Sequence, residues 1–194
     1  YREKLKDTAS LGHAYNLLGV INWKKGDLYN AYINYLKAGN YCKMGKDTAT
    51  LLLTYNNLAL VFQRLKYYQK AVENIKQGLS LAKKIKYSFG IAYSYKRLAD
   101  LYLELKRFDE AKQNLDSSIV YANIINRKIM LIDIYYLLGK IYQAEGKYDE
   151  ALSRYNIGLN SKDKILDKFI VALLLSRRSE IFIIKKNYDL ALKD

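Results

Sequence analysis

The chain has 194 residues, of which 51% are apolar and none is proline. Its 33 basic and 19 acidic residues give a net charge of +14, which attracts acidic proteins or nucleic acid. A single cysteine and a single histidine exclude a disulfide within the chain, a thiolate zinc cluster and a two-histidine metal site, so we expect no cofactor and no metal.

The first residues resemble a later stretch of the same chain. Residues 1–9 end in Lys-Asp-Thr-Ala, and residues 41–49 end in the same four letters forty positions later. We therefore expect residues 1–7 to be the tail of a preceding repeat. The chain also begins at Tyr1 rather than Met and stops at Asp194 inside a predicted helix, so we expect a fragment of a longer protein.

Apolar residues at helical spacing, without the alternation typical of strands, predict an all-α chain built of helix pairs. The first helix of each pair is predicted over residues 8–24, 48–64, 88–105, 128–145 and 167–185. The second helix is predicted over residues 28–44, 68–86, 108–125 and 148–162, with a short helix from residue 188. Asp7 or Thr8, Asp47 or Thr48, and Ser88 are the predicted N-caps.

Two columns of small residues recur every forty positions. One column holds Gly19, Ala59, Ala99, Gly139 and Ser179, and the other holds Ala31, Ala71, Ala111, Ala151 and Ala191. A fixed period of this length indicates a solenoid of stacked helix pairs. We predict repeats over residues 8–47, 48–87, 88–127 and 128–166, with a partial fifth repeat over 167–194. Bulky residues one turn after each alanine, such as Tyr35 and Tyr155, are predicted core.

The turn after the first helix holds either glycine or lysine. Gly26 and Gly146 suit a left-handed residue that ends a helix. Lys66, Lys106 and Lys186 occupy the same position in other copies, and we expect a turn there that tolerates a side chain.

These patterns together resemble the tetratricopeptide repeat family. Tyr135, Leu138, Gly139 and Tyr142, followed by Ala151 and Tyr155, match the family's pattern with Tyr in place of Trp. The resemblance covers nearly the whole chain and implies a right-handed α-solenoid of antiparallel helix pairs, a superhelix whose first helices line a concave face.

The chain departs from the usual family pattern in three ways. The period is forty rather than about 34 residues, which resembles the extended-helix branch of the family. The proline near the end of the second helix is replaced, and Arg178 stands where the other copies have leucine. The arginine suggests atypical packing in the fifth repeat.

The resemblance implies that polar residues of the first helices bind the partner. The candidate ligand-binding residues are Asn16, Asn56, Asn57, Gln63, Tyr93, Lys96, Arg97, Tyr136 and Lys140. Amide side chains can hold a peptide backbone, and a basic pair can hold a carboxylate. Asn57 and Arg97 match two positions of the family's five-residue carboxylate clamp, whereas Asn16, Val20 and Tyr93 do not match the others. An ordinary solvated surface is an equal alternative.

Basic residues recur at both ends of the helix pairs, which leaves a second function open. They occur at Lys24-Lys25, Arg64-Lys66, Lys106-Arg107 and Lys185-Lys186, and at Lys43-Lys46, Lys83-Lys84-Lys86, Arg127-Lys128 and Lys162-Lys164. Cations favour helix C-termini in any protein. Two basic edges would nonetheless attract nucleic acid without sequence selection.

No catalytic constellation occurs, so we predict a protein that is not an enzyme. His13 has no second histidine beside it, and Cys42 lacks a base, although Lys43 and Lys46 could lower its pKa. No apolar run is long enough to span a membrane, and the cytoplasm is the compartment that we favour. The predicted function is a protein- or peptide-binding scaffold, with an acidic partner and a place in a larger regulatory protein; the alternative is a nucleic-acid-binding module.

Overall fold

The computed structural model describes residues 2–160 and 168–194. Within these ranges all regular structure is helical, as predicted. The helices are α1 (Arg2–Lys24), α2 (Leu28–Gly45), α3 (Thr48–Arg64), α4 (Tyr68–Lys84), α5 (Ser88–Glu104), α6 (Phe108–Ile124), α7 (Lys128–Ala144), α8 (Tyr148–Leu159), α9 (Lys168–Ile184) and α10 (Tyr188–Lys193).

The chain divides into two compact units, Tyr1–Leu101 (unit 1) and Tyr102–Asp194 (unit 2). In unit 1, α1 packs on α2 and α3, α2 packs on α3, and α3 packs on α4. In unit 2, α7 packs on α6, α8 and α9, while α9 also packs on α8 and α10. Within unit 1 the α1–α2 pair thus contacts the α3–α4 pair, and within unit 2 the α7–α8 pair contacts the α9–α10 pair, which confirms the predicted all-α solenoid of helix pairs.

The two predicted columns of small residues lie in the core in the first four repeats, whereas Ser179 and Ala191 of the fifth repeat are half-buried. Ala31, Ala71, Ala111 and Ala151 are each 0% exposed, and the bulky residue one turn later is equally buried. A Cβ added to Gly139 would lie 2.1 Å from Cε1 of Tyr155, and one added to Gly19 would lie 2.4 Å from Cε1 of Tyr35. Where the chain has Ala59 instead, the facing position holds the narrower Ile75. Glycine is therefore required where the partner is tyrosine.

Each turn between helices that the structure describes in full uses one left-handed residue, and these residues are spaced by twenty positions from Gly26 to Gly146. Gly26 and Gly146 have φ of 82° and 76°, and Lys66 adopts the same conformation with φ of 62°. The amide of Tyr67 donates to the carbonyl of Phe62 at 2.8 Å, which closes the helix end. The lysine-containing turns therefore have the same left-handed geometry as the glycine turns, with the lysine in a strained conformation. The chain does not use a different type of turn at Lys66, Lys106 and Lys186.

The predicted caps are only partly observed. The Asp47 carboxylate accepts from the amide of Thr50 at 3.0 Å and caps α3, and Asp27 caps α2 by accepting from Asn30 at 3.0 Å. Thr48 and Ser88 are instead the first residues of their helices.

The start of the chain differs from the prediction. Helix α1 runs without a break from Arg2, so Asp7 and Thr8 are helical and cap nothing. A cap at Asp7 would require Lys6 to turn left-handed, as Lys46 does, and a continuous helix avoids that conformational cost. Whether residues 1–7 belong to a preceding repeat stays a prediction, and the predicted boundary between residues 166 and 167 lies outside the described residues.

Candidate functional site

Asn16 joins α1 to α3, the first helices of two successive pairs in unit 1. Its Oδ1 accepts hydrogen bonds from Nδ2 of Asn57 at 3.0 Å and from Oγ1 of Thr54 at 3.3 Å. Asn16 itself is only 5% exposed. Its amide therefore fixes α3 against α1, and little of its surface is left for the predicted contact with a ligand.

Asn56 belongs to the core rather than to an open surface. It is 2% exposed, and its Nδ2 donates to the carbonyl of Leu52 at 3.1 Å. A Cβ on Gly78 of α4 would lie 3.4 Å from the same nitrogen. Asn56 therefore offers almost no surface to a ligand, because this side of α3 packs against the second helix of its own pair.

Arg97 is held in place on α5. Its Nη2 donates to Oε1 of Gln63 at 2.6 Å, and its Nη1 lies 3.6 Å from a carboxylate oxygen of Asp100. The side chain is 11% exposed, and its buried Nε has no hydrogen-bond partner among the described residues. The guanidinium is therefore oriented by its neighbours while one of its donors remains unused.

Tyr93 and Lys96 lie on the same helix as Arg97 and are half-buried. The ring of Tyr93 stacks on that of Phe89, with centroids 6.2 Å apart and planes 14° apart. Five of the predicted ligand-binding residues thus lie on partly accessible positions of α3 and α5. We call this set the inner face of unit 1: Asn57, Gln63, Tyr93, Lys96 and Arg97.

The remaining two candidates lie in unit 2. The Nζ of Lys140 lies 5.6 Å from the ring centroid of Tyr136. The Tyr136 hydroxyl accepts a hydrogen bond from Arg177, which raises the pKa of that guanidinium, with a further contribution from Glu180. Tyr136 and Lys140 are thus both half-buried and engaged with a neighbouring side chain.

Unit 2 contains a polar cluster that corresponds to the Arg97 cluster of unit 1, eighty positions later in the sequence. Gln63, Arg97 and Asp100 correspond in position to Gln143, Arg177 and Glu180. Nε2 of Gln143 donates to Glu180 at 3.2 Å, and Nη1 of Arg177 donates to the same carboxylate at 3.0 Å. Sequence reasoning missed Gln143, although comparison of every second repeat would have found it.

The buried hydroxyl of Tyr155 completes this cluster. It donates to Oε1 of Gln143 at 3.0 Å, and burial raises the pKa of the tyrosine. Because Tyr155 is also the residue that requires Gly139, the core of the α7–α8 pair and the polar cluster share one side chain.

The isolated cysteine is inert by position. Cys42 is 0% exposed, and burial, with a smaller contribution from Asp47, raises the pKa of its thiol to about 11. Lys43 and Lys46 therefore do not lower it as their sequence proximity suggests. Across residues 2–160 and 168–194, no group of three or more His, Cys, Asp or Glu side chains is arranged to hold a metal ion.

The predicted basic edges are solvent-exposed wherever the structure describes them. Lys24, Lys25 and Arg64 are exposed at the ends of first helices, and Lys43, Lys83 and Lys84 at the ends of second helices. Lys162 and Lys164 lie outside the described residues. None of the helices in the described ranges is both long and apolar enough to cross a bilayer.

Comparison with known proteins agrees with this geometry. A family model described as tetratricopeptide repeat matches residues 47–119 and 90–164, and a second model with that description matches residues 12–38. The chain belongs to the tetratricopeptide repeat family. None of the curated proteins compared with this repeat protein matches it.

Several solved structures share the fold of this tetratricopeptide repeat chain. BtubC (BKLC) from P. vanneervenii is 17% identical, with a TM-score of 0.83 over 99% of this chain and 83% of its own. The apo form of RapI is 15% identical, with a TM-score of 0.78 over 92% of this chain and 50% of its own. The pilF protein of Pseudomonas aeruginosa is 17% identical, with a TM-score of 0.73 over 96% of this chain and 74% of its own. At these identities the likeness concerns the fold alone.

Proposed function

We propose that this chain is a non-enzymatic scaffold that binds a protein or peptide on the inner face of unit 1. We further propose that it serves as the partner-recruiting region of a larger regulatory protein. Membership of the tetratricopeptide repeat family supports a role in protein interactions.

The observation that carries the proposal is the state of Arg97. Its guanidinium is fixed by Gln63 at 2.6 Å, while 11% of the side chain stays exposed. A pre-oriented guanidinium loses little side-chain freedom when it binds a carboxylate. Asn57, one helix away, adds an amide that can bond a peptide backbone. The arrangement suits a peptide that carries at least one acidic group.

Peptides selected on the protein itself test this proposal. A phage-displayed library of random peptides is selected against the immobilised full chain, and the enriched peptides are synthesised with a fluorescent label. Fluorescence anisotropy then gives their affinity for the wild type and for variants. We expect R97A to lose about tenfold in affinity, since a charge-assisted hydrogen bond is removed.

Two further variants make the result specific. R97K keeps the charge but loses the planar fork, so we expect an intermediate loss. K76A removes a positive charge from the exposed side of α4 and should leave the affinity unchanged. Circular dichroism of each variant controls for folding. If R97A and K76A bind the selected peptides as tightly as the wild type does, the inner face of unit 1 is not the binding site.

A further inference from the structure

The positive charge of the chain is concentrated in one unit. Residues 1–101 contain 17 basic and 6 acidic residues, a net charge of +11, whereas residues 102–194 contain 16 and 13, a net charge of +3. The carboxylates of unit 2 pair with many of its cations: Lys185 with Asp149, Arg178 with Asp194, and Lys112 with Glu145. Unit 1 therefore retains an excess of positive charge. In unit 2, by contrast, most of the positive charge is balanced by the unit's own carboxylates.

The densest part of this excess lies at the end of α4. Lys83, Lys84 and Lys86 are exposed, and none of them forms an ion pair within the described part of the chain. The Nζ of Lys83 lies 5.2 Å from the ring centroid of Tyr95, which fixes the first of the three on the surface. One repeat later, the corresponding positions hold Asn123, Ile124 and Asn126 and carry no charge. One repeat earlier they hold Lys43, Met44 and Lys46, so two of the three charges recur there, and only the repeat of α4 has lysine at all three positions.

Aromatic rings continue from this cluster toward the inner face of unit 1. Tyr87 is 44% exposed and follows Lys86 directly. Its ring centroid lies 6.0 Å from that of Phe89, whose ring stacks in turn on Tyr93 at 6.2 Å. Lysines and rings therefore form a continuous surface, which we call the basic track: Lys83, Lys84, Lys86, Tyr87, Phe89 and Tyr93.

The composition of the basic track favours an acidic protein segment over nucleic acid. Single-stranded nucleic acid needs ring faces on which bases can stack. The rings of Phe89 and Tyr93 are 14° from parallel and stack on each other instead. Ile85, 42% exposed among the lysines, adds an aliphatic contact that a phosphate backbone would not use. Acidic side chains can pair with the lysines while apolar side chains pack on Ile85 and Tyr87.

We infer that the partner segment is acidic and apolar in composition, and that it continues from the inner face of unit 1 along the basic track to the end of α4. This inference rests on the proposed function, because it extends the same binding face and names the chemistry of its ligand. Long-range attraction by the cluster would raise the association rate, and the apolar contacts would slow dissociation.

Defined probes and a charge-matched control test the inference. The probes are a labelled dodecapeptide of repeating Glu-Glu-Leu, its Gln-Gln-Leu counterpart and a labelled oligothymidylate of the same length. The test variant is K83E/K84E/K86E. The control K24E/K25E/R64E reverses three exposed charges at the ends of α1 and α3, so both variants have the same net charge.

We expect the wild type to bind the Glu-Glu-Leu peptide more tightly than either other probe, with an affinity that falls as salt is added. The test variant should lose at least about tenfold in affinity, and the control should lose less than about twofold. The neutral variant K83Q/K84Q/K86Q should show an intermediate loss, and it replaces the test variant if charge reversal unfolds α4.

Three outcomes overturn the inference. Equal losses in test and control variants would mean that binding follows net charge alone. Tighter binding of oligothymidylate would assign the track to nucleic acid. Unchanged binding in the test variant, with selected peptides still lost in R97A, would remove the basic track and leave the proposed function intact.

Discussion

The α1–α3 junction of unit 1 and the α7–α9 junction of unit 2 join successive first helices with different chemistry, whereas α3 and α5 in unit 1 are joined by a charged cluster like that of unit 2. In unit 1, α1 and α3 are joined by neutral amides and a hydroxyl, with Asn16 as the shared acceptor. In unit 2, α7 and α9 are joined by Gln143 and the Arg177–Glu180 ion pair. Unit 1 has few carboxylates to spare, with 6 acidic residues against 13 in unit 2.

The difference shows that the repeat specifies where helices meet but not what holds them together. Any donor and acceptor that meet across neighbouring first helices can satisfy the same geometry. Unit 1 can therefore leave Lys83, Lys84 and Lys86 without an ion pair in the described part of the chain while it keeps the contacts between its helices. The variants below alter features that the two units share or features that separate them.

The largest effect is expected at Gly139. G139A would place a methyl group against the buried ring of Tyr155, and overpacking of this kind costs about 1–3 kcal/mol. Native-state hydrogen exchange of the amides in α7 and α8 measures the loss. G19A should have the same consequence in unit 1, where Tyr35 is the partner.

A double variant decides whether the clash is the cause. G139A/Y155I recreates the combination found at Ala59 and Ile75, so its loss should be smaller than the sum of the two single losses. Additive losses would show that Gly139 and Tyr155 do not interact through their packing.

An intermediate effect is expected at Asn16. N16A removes the acceptor shared by Thr54 and Asn57, and a lost buried hydrogen-bond partner costs about 1–2 kcal/mol. Because amides do not titrate, the loss should be the same at every pH between acid and neutral. L17A, at an exposed neighbour, is the control. Hydrogen exchange of α3 that is unaltered in N16A would assign the contact between α1 and α3 to apolar packing alone.

A smaller and pH-dependent effect is expected at Glu145 in unit 2. Its carboxylate accepts from Lys112 at 2.8 Å and Lys147 at 3.1 Å, and the hydrogen bond from Lys112 is the main reason that its pKa lies below the ordinary 4.5. A carboxylate whose pKa is lowered on folding stabilises the folded state at pH values above its ordinary pKa. That stability is lost as the pH falls through the pKa of the folded state.

E145Q should therefore cost about 0.5–1 kcal/mol at neutral pH and nothing in strong acid. Thermal unfolding of wild type and variant across this pH range measures the difference. Equal melting temperatures at neutral pH would show that this ion pair contributes no stability.

The smallest effect should be the same in both units. K66G and K186G relieve a left-handed conformation that costs about 1 kcal/mol for a residue with a side chain, although glycine also loses more freedom on folding. Each variant should gain about 0.5 kcal/mol, measured as a rise in melting temperature. The reverse substitution G146A should lower the melting temperature, and a gain there would contradict a left-handed requirement.

Part of the candidate site followed from the sequence and part did not. The resemblance to the tetratricopeptide repeat family implied that Arg97 and Gln63 lie on one face, and the two side chains do meet. Asn16 and Asn56 were predicted on the same basis but are buried. The helical period shows on which side of its helix a residue lies, but it does not resolve positions within that side. Whether that side stays accessible depends on the neighbouring helix, and Gly78 of α4 covers Asn56 closely.

The sequence by itself determined the helix pairs, their period and the buried columns of alanine and tyrosine, because helical spacing and residue size are local properties that repeat without reference to distant contacts. Tertiary structure alone decided which polar side chains hold helices together and which remain accessible, and it raised rather than lowered the pKa of Cys42. These outcomes depend on distances between helices of different repeats, and hydrogen bonding and desolvation change steeply over a few ångströms.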